Sequence, residues 1–176
     1  MDVSNGRLRG VDEHEDGSKT FHWFVSNPIS NYVINLNVSD YVQFGEEYEG
    51  AKGILDCDYF VLPYNLEAAK EQFKDVPRML DAFEHWFGPY PFYEDGFKLV
   101  EVPYPGMEHQ SSVTYGYGFA NGYGGRDVSV LVGGLNSTSL SFMKQDMSGL
   151  PIASLIAISQ ICGFMKASPP IPKTFF

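Results

Sequence analysis

Hydrophobic and polar residues alternate along residues 31–38. Tyr32, Ile34, Leu36 and Val38 fall on one face of an extended chain, and mostly polar residues fall on the other. A period of two is typical of a strand with one buried face. The pattern therefore predicts a half-buried strand whose four apolar side chains face the core.

Three other segments also predict strands. Residues 41–44 continue the β character, residues 54–62 form an apolar run, and residues 97–102 form another. Short runs that are rich in β-branched and aromatic side chains favour strands over helices. These segments place most of the predicted sheet between residues 41 and 102.

Two helices interrupt this series of strands. Asn65 is a good N-cap residue for a helix that begins with Leu66. A second helix is predicted to begin near Asp75 and Pro77 and to stop at Gly88. Its apolar stripe, interpreted as core rather than as a ligand site, is Val76, Met79, Leu80, Phe83 and Phe87.

Two polar or glycine-rich segments are interpreted as turns and loops rather than as ligand sites. The acidic residues 12–16 lie between Gly10 and Gly17, which favours a solvated turn between strands over a metal site. Residues 115–125 are rich in glycine and tyrosine but lack the spacing of a phosphate-binding loop.

Charge and composition exclude several classes of protein. The net charge of −10 and the pI of about 4.7 argue against a nucleic-acid partner. No apolar run is long enough to cross a bilayer, and the N-terminus lacks the regions of a signal peptide. Cys57 and Cys162 are far apart, so neither a disulfide framework nor a cysteine zinc site is predicted. We expect neutral or cationic partners.

The composition changes abruptly near Ser129. All eleven tyrosines and both tryptophans precede residue 124, although the chain continues to residue 176. Three lysines and one aspartate are the only charged residues after residue 129, and subtracting their +2 from the total of −10 leaves −12 on residues 1–129. The two parts do not resemble one evolved domain.

Five short segments follow one another in a specific order between residues 20 and 128. They are Asn-Pro-Ile-Ser-Asn-Tyr at 27–32, Phe-Glu at 83–84, Phe-Gly-Pro-Tyr-Pro-Phe at 87–92, Lys-Leu-Val at 98–100 and Gly-Met-Glu at 106–108. This series resembles the aminopeptidase N-type zinc metallopeptidase family. In that family these segments run from the end of an N-terminal β domain into the start of a thermolysin-like catalytic domain.

The resemblance implies a substrate-binding role for Gly106, Met107, Glu108 and His109. Glu108 would pair with the free α-ammonium of a peptide, while Gly106 and Met107 shape the strand against the substrate. A carboxylate on an edge strand can do this because the strand backbone aligns the peptide by β-addition. His109-Gln110 replaces the more usual Asn, and His109 lacks the second histidine at helical spacing that a zinc site needs.

The zinc motif of that family, His-Glu-x-x-His with a further Glu after eighteen residues, is absent from the given reading frame. No catalytic residue or metal ligand is therefore predicted in frame. In that family the metal activates a water that attacks the first peptide carbonyl. The motif should begin shortly after residue 127, where the composition changes.

A shift of the reading frame by one base from Val130 permits the motif. Each shifted codon combines the last base of one residue with the first two bases of the next. The pairs 143–144 and 165–166 then force Glu, and the pairs 142–143 and 146–147 permit His. The separations match those of the family, so residues 130–176 are predicted to be a frameshifted tail.

The predicted fold class is α+β: the end of an N-terminal β-sandwich domain (1–64) joined to the start of a thermolysin-like catalytic domain (65–129), with a tail lacking a selected fold. The predicted function is that of a fragment of a zinc aminopeptidase, inactive as written, whose parent binds zinc and cleaves peptides with a free N-terminus. The sequence does not give the compartment, although relatives with this motif variant are often exported, so an exported or periplasmic parent stays open. The alternative is a non-catalytic β-rich module that binds peptides or proteins.

Overall fold

The computed structural model describes residues 1–104, 106–116 and 118–119, and their side chains except those of residues 86 and 87. This part of the chain contains nine strands and two α-helices. The elements are β1 (Asp2–Ser4), β2 (Arg7–Glu13), β3 (Lys19–Phe24), β4 (Leu36–Val38), β5 (Val42–Gly50), β6 (Gly53–Val61), α1 (Leu66–Phe73), α2 (Val76–Phe87), β7 (Phe97–Glu101), β8 (Gly106–Met107) and β9 (Val113–Tyr115). The predicted mixed, strand-rich character is confirmed.

The strands form one large sheet and two strand pairs. The large sheet has the order β5-β6-β7-β9-β8, in which β7 runs parallel to both β6 and β9. β5 and β8 are the antiparallel outer strands. β1 pairs with β4 and β2 pairs with β3, both antiparallel. Apart from β1–β4, the antiparallel pairs join strands that are consecutive in the chain.

The core lies between the large sheet and the two helices. Every residue of β7 is buried, as expected for a central strand with parallel neighbours on both sides. The predicted stripe of α2 faces this core: Val76, Met79, Leu80 and Phe83 are buried. The side chain of Phe87, the fifth member of the stripe, lies outside the described residues.

The predicted helix ends are correct, but the predicted cap of α1 is not. α1 follows Asn65 and α2 ends at Gly88, whose φ of +84° suits a glycine. The Asn65 side chain does not cap α1; its Nδ2 instead donates to Glu101 Oε1 at 2.5 Å. Glu101 also accepts a hydrogen bond from the Leu62 amide at 2.8 Å. A buried carboxylate in β7 thus competes successfully for the capping side chain.

The prediction for residues 31–38 is wrong about which face of the segment is buried. Residues 31–33 form a 3₁₀ turn, and only Leu36–Val38 is a strand. The alternation is real, but the asparagines face inward: Asn35 and Asn37 are 9% and 8% exposed. The four apolar residues that were expected in the core, Tyr32, Ile34, Leu36 and Val38, are 54–71% exposed.

Asn35 faces hydrogen-bond partners in the interior, although its Oδ1 and the Nδ2 of the buried Asn37 have no hydrogen-bond partner among the described residues. The Asn35 amide donates to Asn5 Oδ1 at 2.8 Å, and Asn35 Nδ2 donates to the Ser112 carbonyl at 3.1 Å. Buried polar groups are tolerated when they are paired in this way. Periodicity gives the two faces of a strand but not which face meets such partners.

The acidic residues 12–16 lie at a turn between β2 and β3, as predicted. The segment is solvent-exposed, and its charges pair locally: His22 Nε2 lies 2.7 Å from Asp12, and Lys19 pairs with Glu13. Of the predicted loop at 115–125, Tyr115 ends β9 and most of the rest lies outside the described residues.

The large sheet takes strands from both sides of residue 64, where the sequence suggests a domain boundary. β5 and β6 precede that residue, and β7, β8 and β9 follow it. The boundary itself stays a prediction. The predicted tail, residues 130–176, lies outside the described residues. Within the described part, neither helix is long and apolar enough to cross a membrane.

Candidate functional site

β8 forms an outer edge of the large sheet and carries the start of the predicted substrate-binding motif. Gly106 and Met107 make up the strand, and they pair with Tyr115 and Thr114 of β9. On its other side β8 has no strand partner within the described residues. Such an edge presents backbone amides and carbonyls to which an extended peptide can add.

Two glycines make this edge possible. Gly106 has a φ of +102°, a conformation that other residues rarely adopt. At Gly116, just after β9, a Cβ atom would lie 1.5 Å from the Tyr104 carbonyl oxygen. Only glycine permits this close approach, which brings the chain leaving β7 across to the position of β8.

Thr114 fixes the backbone of Met107 from within the sheet. Its Oγ1 accepts a hydrogen bond from the Met107 amide at 2.7 Å and lies 3.3 Å from the Met107 carbonyl oxygen, to which it can donate. Thr114 is fully buried, so these bonds are shielded from water. The side of β8 that faces the sheet is therefore well anchored, although the sequence alone gave no signal for Thr114.

Glu108 follows directly after β8 and is half-buried. Within the described residues its carboxylate has no hydrogen-bond or salt-bridge partner, whereas the buried Glu101 and Asp95 are both bonded. A carboxylate without a protein partner at a sheet edge is available for a cationic group of a ligand. Gly106 and Met107 thus lie on the edge strand and Glu108 follows it, while the substrate-binding role of these residues stays a prediction.

His109 is directed away from solvent. It is 8% exposed, and its Nδ1 has no hydrogen-bond partner among the described residues. Burial lowers the pKa of His109, and the neighbouring Glu108 carboxylate only partly opposes this shift. The imidazole is therefore neutral at pH 7. His109 therefore lies mostly out of reach of solvent, and the substrate-binding role predicted for it stays a prediction.

The described residues offer no donor set for zinc. No group of three or more His, Cys, Asp or Glu side chains among them could hold a metal ion. The segment in which the sequence predicts the ligands after a frame shift lies outside these residues. Cys57, the cysteine of the described part, is buried in the core, and burial raises the pKa of its thiol to about 12.

The fold has known counterparts among peptidases. Aminopeptidase A of Legionella pneumophila, solved with aspartic acid, matches with a TM-score of 0.63 and 17% identity over 74% of this chain and 16% of that chain. The described part of the chain is similar in fold to part of this peptidase. An M1 zinc metallopeptidase of Deinococcus radiodurans matches with a TM-score of 0.53 and 16% identity over 68% of this chain and 30% of that one.

This likeness is one of structure alone. No family model matches the sequence, and no curated protein does either. The chain spans 16% and 30% of the two peptidases, so it corresponds to only a portion of either. A mutant of the Deinococcus enzyme has also been solved with a Tyr-Ser-Ala substrate.

Proposed function

We propose that this chain is part of a zinc aminopeptidase and that Glu108 binds the α-ammonium group of the peptide substrate. The observation that carries the proposal is the position of Glu108: a half-buried carboxylate that follows the strand β8 and has no hydrogen-bond or salt-bridge partner among the described residues. The likeness in fold to aminopeptidases that bind amino acids or peptides supports the same conclusion.

The edge strand and the carboxylate perform different parts of recognition. The backbone of Gly106 and Met107 can pair with an extended peptide and so fixes its direction. Glu108 can then form a charge-assisted hydrogen bond with the terminal ammonium, which a peptide with a blocked N-terminus lacks. Together they select the first residue of a chain, which is what distinguishes an aminopeptidase from an endopeptidase.

Gly106, Met107 and Glu108 make these contacts in our proposal, and His109 supports Glu108 from below. The parent enzyme would need zinc, whose ligands we assign to the frame-shifted segment after residue 129. We retain residues 1–64 as the end of an N-terminal β domain and residues 65–129 as the start of the catalytic domain. The chain in its given frame is proposed to be inactive as a peptidase.

Peptide binding tests the role of Glu108 directly. Tri-alanine with a free N-terminus and its N-acetyl derivative are titrated into the isotope-labelled chain, with dissociation constants measured by NMR. We expect the free peptide to bind at least about tenfold more tightly, since a charge-assisted bond contributes about 1.5–3 kcal/mol. Glu108→Gln should remove this preference, and Glu71→Gln on the exposed face of α1 should not. Equal binding of both peptides by the wild type would reject the proposal.

DNA sequencing across the codons for residues 127–176 tests the assignment of the zinc segment. If one base is missing near Ser129, the restored frame should encode His-Glu-x-x-His with a Glu after eighteen residues. The restored protein, expressed with zinc, should hydrolyse an aminoacyl p-nitroanilide, and Glu108→Gln should reduce kcat/KM. A confirmed frame without the motif would favour the non-catalytic binding module, which needs only the edge strand.

A further inference from the structure

The turn that follows Glu108 is held by residues that lie far away in the sequence. His109–Ser112, here called the 109–112 turn, contains Ser111 with a φ of +57°. A non-glycine residue in the left-handed region costs about 1 kcal/mol or more and needs support from its surroundings. Within the turn, the Ser112 amide donates a main-chain hydrogen bond to the His109 carbonyl at 3.3 Å. The remaining support comes from the N-terminal forty residues.

Asn5 makes the central contact. Its Nδ2 donates to the Gln110 carbonyl at 2.5 Å and to the Val33 carbonyl at 3.0 Å, and its Oδ1 accepts from the Asn35 amide at 2.8 Å. Asn5 is 1% exposed. One buried side chain therefore joins β1, the segment before β4 and the 109–112 turn, and all its donors are used.

Two further bonds fix the turn from the same side. The Gly6 amide donates to Ser111 Oγ at 2.9 Å, and Asn35 Nδ2 donates to the Ser112 carbonyl at 3.1 Å. Gly6 has a φ of +74°, and a Cβ there would lie 2.0 Å from the Phe24 carbonyl oxygen. The close approach of β3 to Gly6 therefore fixes the backbone that donates to Ser111.

Glu108 lies between two anchored points and has no anchor of its own. On one side Thr114 holds Met107, and on the other Asn5 holds Gln110. The direction in which the Glu108 side chain leaves the backbone is therefore set by these two contacts. Thr114 belongs to the same sheet as the motif, whereas Asn5 belongs to the β1–β4 pair.

We propose that Asn5 and Asn35 are positioning residues for Glu108: they fix the 109–112 turn and thereby aim the carboxylate at the amino terminus of a bound peptide. This inference rests on the proposed function of Glu108. It assigns Asn5 and Asn35 an indirect part in substrate recognition, through the 109–112 turn. Neither residue touches the substrate, so neither is catalytic.

Amide hydrogen exchange and peptide binding together test the proposal on the full chain. Asn5→Ala removes all three bonds of the side chain, and Asn5→Asp keeps the acceptor for the Asn35 amide but loses both donors. Ser4→Ala is the matched control, because Ser4 Oγ donates to the Asn35 carbonyl at 2.8 Å and does not bond to the turn. Exchange is compared between residues 107–112 and the β5–β6 hairpin.

We expect both Asn5 variants to raise exchange at residues 107–112 at least tenfold and to leave the β5–β6 hairpin unchanged. They should weaken binding of free tri-alanine at least fivefold without changing the binding of the acetylated peptide. Ser4→Ala should leave both measurements close to wild type. This pattern separates positioning from general destabilisation, which would raise exchange in both regions.

Unchanged exchange at residues 107–112 in the Asn5 variants, or equal increases in both regions, would overturn the proposal. If the wild-type chain does not prefer the free peptide, the role of Glu108 fails first, and the exchange data still decide whether Asn5 holds the turn. If Asn5→Ala does not fold, Asn35→Ala repeats the test because it removes the bond to the Ser112 carbonyl.

Discussion

Two regions of this molecule are held together in different ways. The large sheet and its helices enclose an apolar core, in which aromatic rings such as Tyr59 and Phe73 pack 4.9 Å apart between centroids. The strand pairs β1–β4 and β2–β3 have few buried apolar residues. Among the apolar residues of these strands, Val3 is fully buried. They are attached to the sheet by Asn5, Asn35, Asp95 and Lys98.

The difference shows which interactions stabilise the fold and which interactions fix the positions of single groups. Apolar burial is non-directional and tolerates small shifts, so it stabilises the sheet without fixing single atoms. Hydrogen bonds between buried side chains and remote carbonyls depend on distance and angle. The region with the weaker core therefore places the 109–112 turn, on which the candidate site depends.

The largest effect should come from the apolar core. Leu80→Ala in α2 should lower the free energy of unfolding by about 2–5 kcal/mol, because Leu80 is fully buried and its loss leaves a cavity. Leu36→Ala in β4 is the matched control: Leu36 is 65% exposed, and we expect a change within about 0.5 kcal/mol. Urea unfolding followed by circular dichroism measures both, and similar losses would remove the distinction between the regions.

The next effect concerns the attachment of the strand pairs to the sheet. Asp95 is fully buried and accepts bonds from the Ser26 amide at 2.6 Å, the Asn27 amide at 3.1 Å and Asn27 Nδ2 at 2.9 Å. Asp95→Ala should cost about 1–3 kcal/mol. Hydrogen exchange should increase at residues 20–30 before it increases in β5 and β6. An increase spread evenly over the chain would show that the two regions unfold as one unit.

Lys98 gives a smaller, pH-dependent effect. Its Nζ donates to the Gly6 and Asp95 carbonyls, and burial lowers its pKa from 10.5 to about 8. Between pH 8 and pH 10.5 the Lys98 amine is more fully protonated in the unfolded chain than in the folded chain. The free energy of unfolding should therefore increase as the pH rises through this range. The gain is at most about 1.4 kcal/mol per pH unit. Urea midpoints of wild type and Lys98→Met at pH 7.5, 8.5 and 9.5 test this, and parallel curves would contradict it.

The smallest effect is expected at His109. Because burial lowers its pKa below 6.5, the unfolded chain binds the proton more readily and stability should decrease as pH falls below about 6.5. His109→Asn should make the urea midpoint less dependent on pH between 5 and 6.5. His14→Asn in the exposed β2–β3 turn is the control. An unchanged slope in the His109 variant would indicate that the imidazole is not buried in solution.

Sequence patterns predicted the elements of the first region better than those of the second. β6 and β7 were found as short runs rich in β-branched and aromatic residues, α1 from the N-cap residue Asn65, and α2 from its apolar stripe. Residues 31–38 were misread because Asn35 is buried against partners far away in the sequence, such as Ser112. The candidate site was recognised from short motifs, but its supports Asn5 and Thr114 were not.

The sequence by itself determined β6, α1, α2 and β7, the acidic character of the chain and the resemblance that singles out residues 106–109. These properties are local, since they follow from neighbouring residues and their period. The tertiary structure decided that, among the described residues, β8 is an edge and Glu108 has no hydrogen-bond partner, and that His109 is buried. Such features arise from contacts between residues about a hundred positions apart, and directional hydrogen bonds between them leave no periodic trace in the sequence.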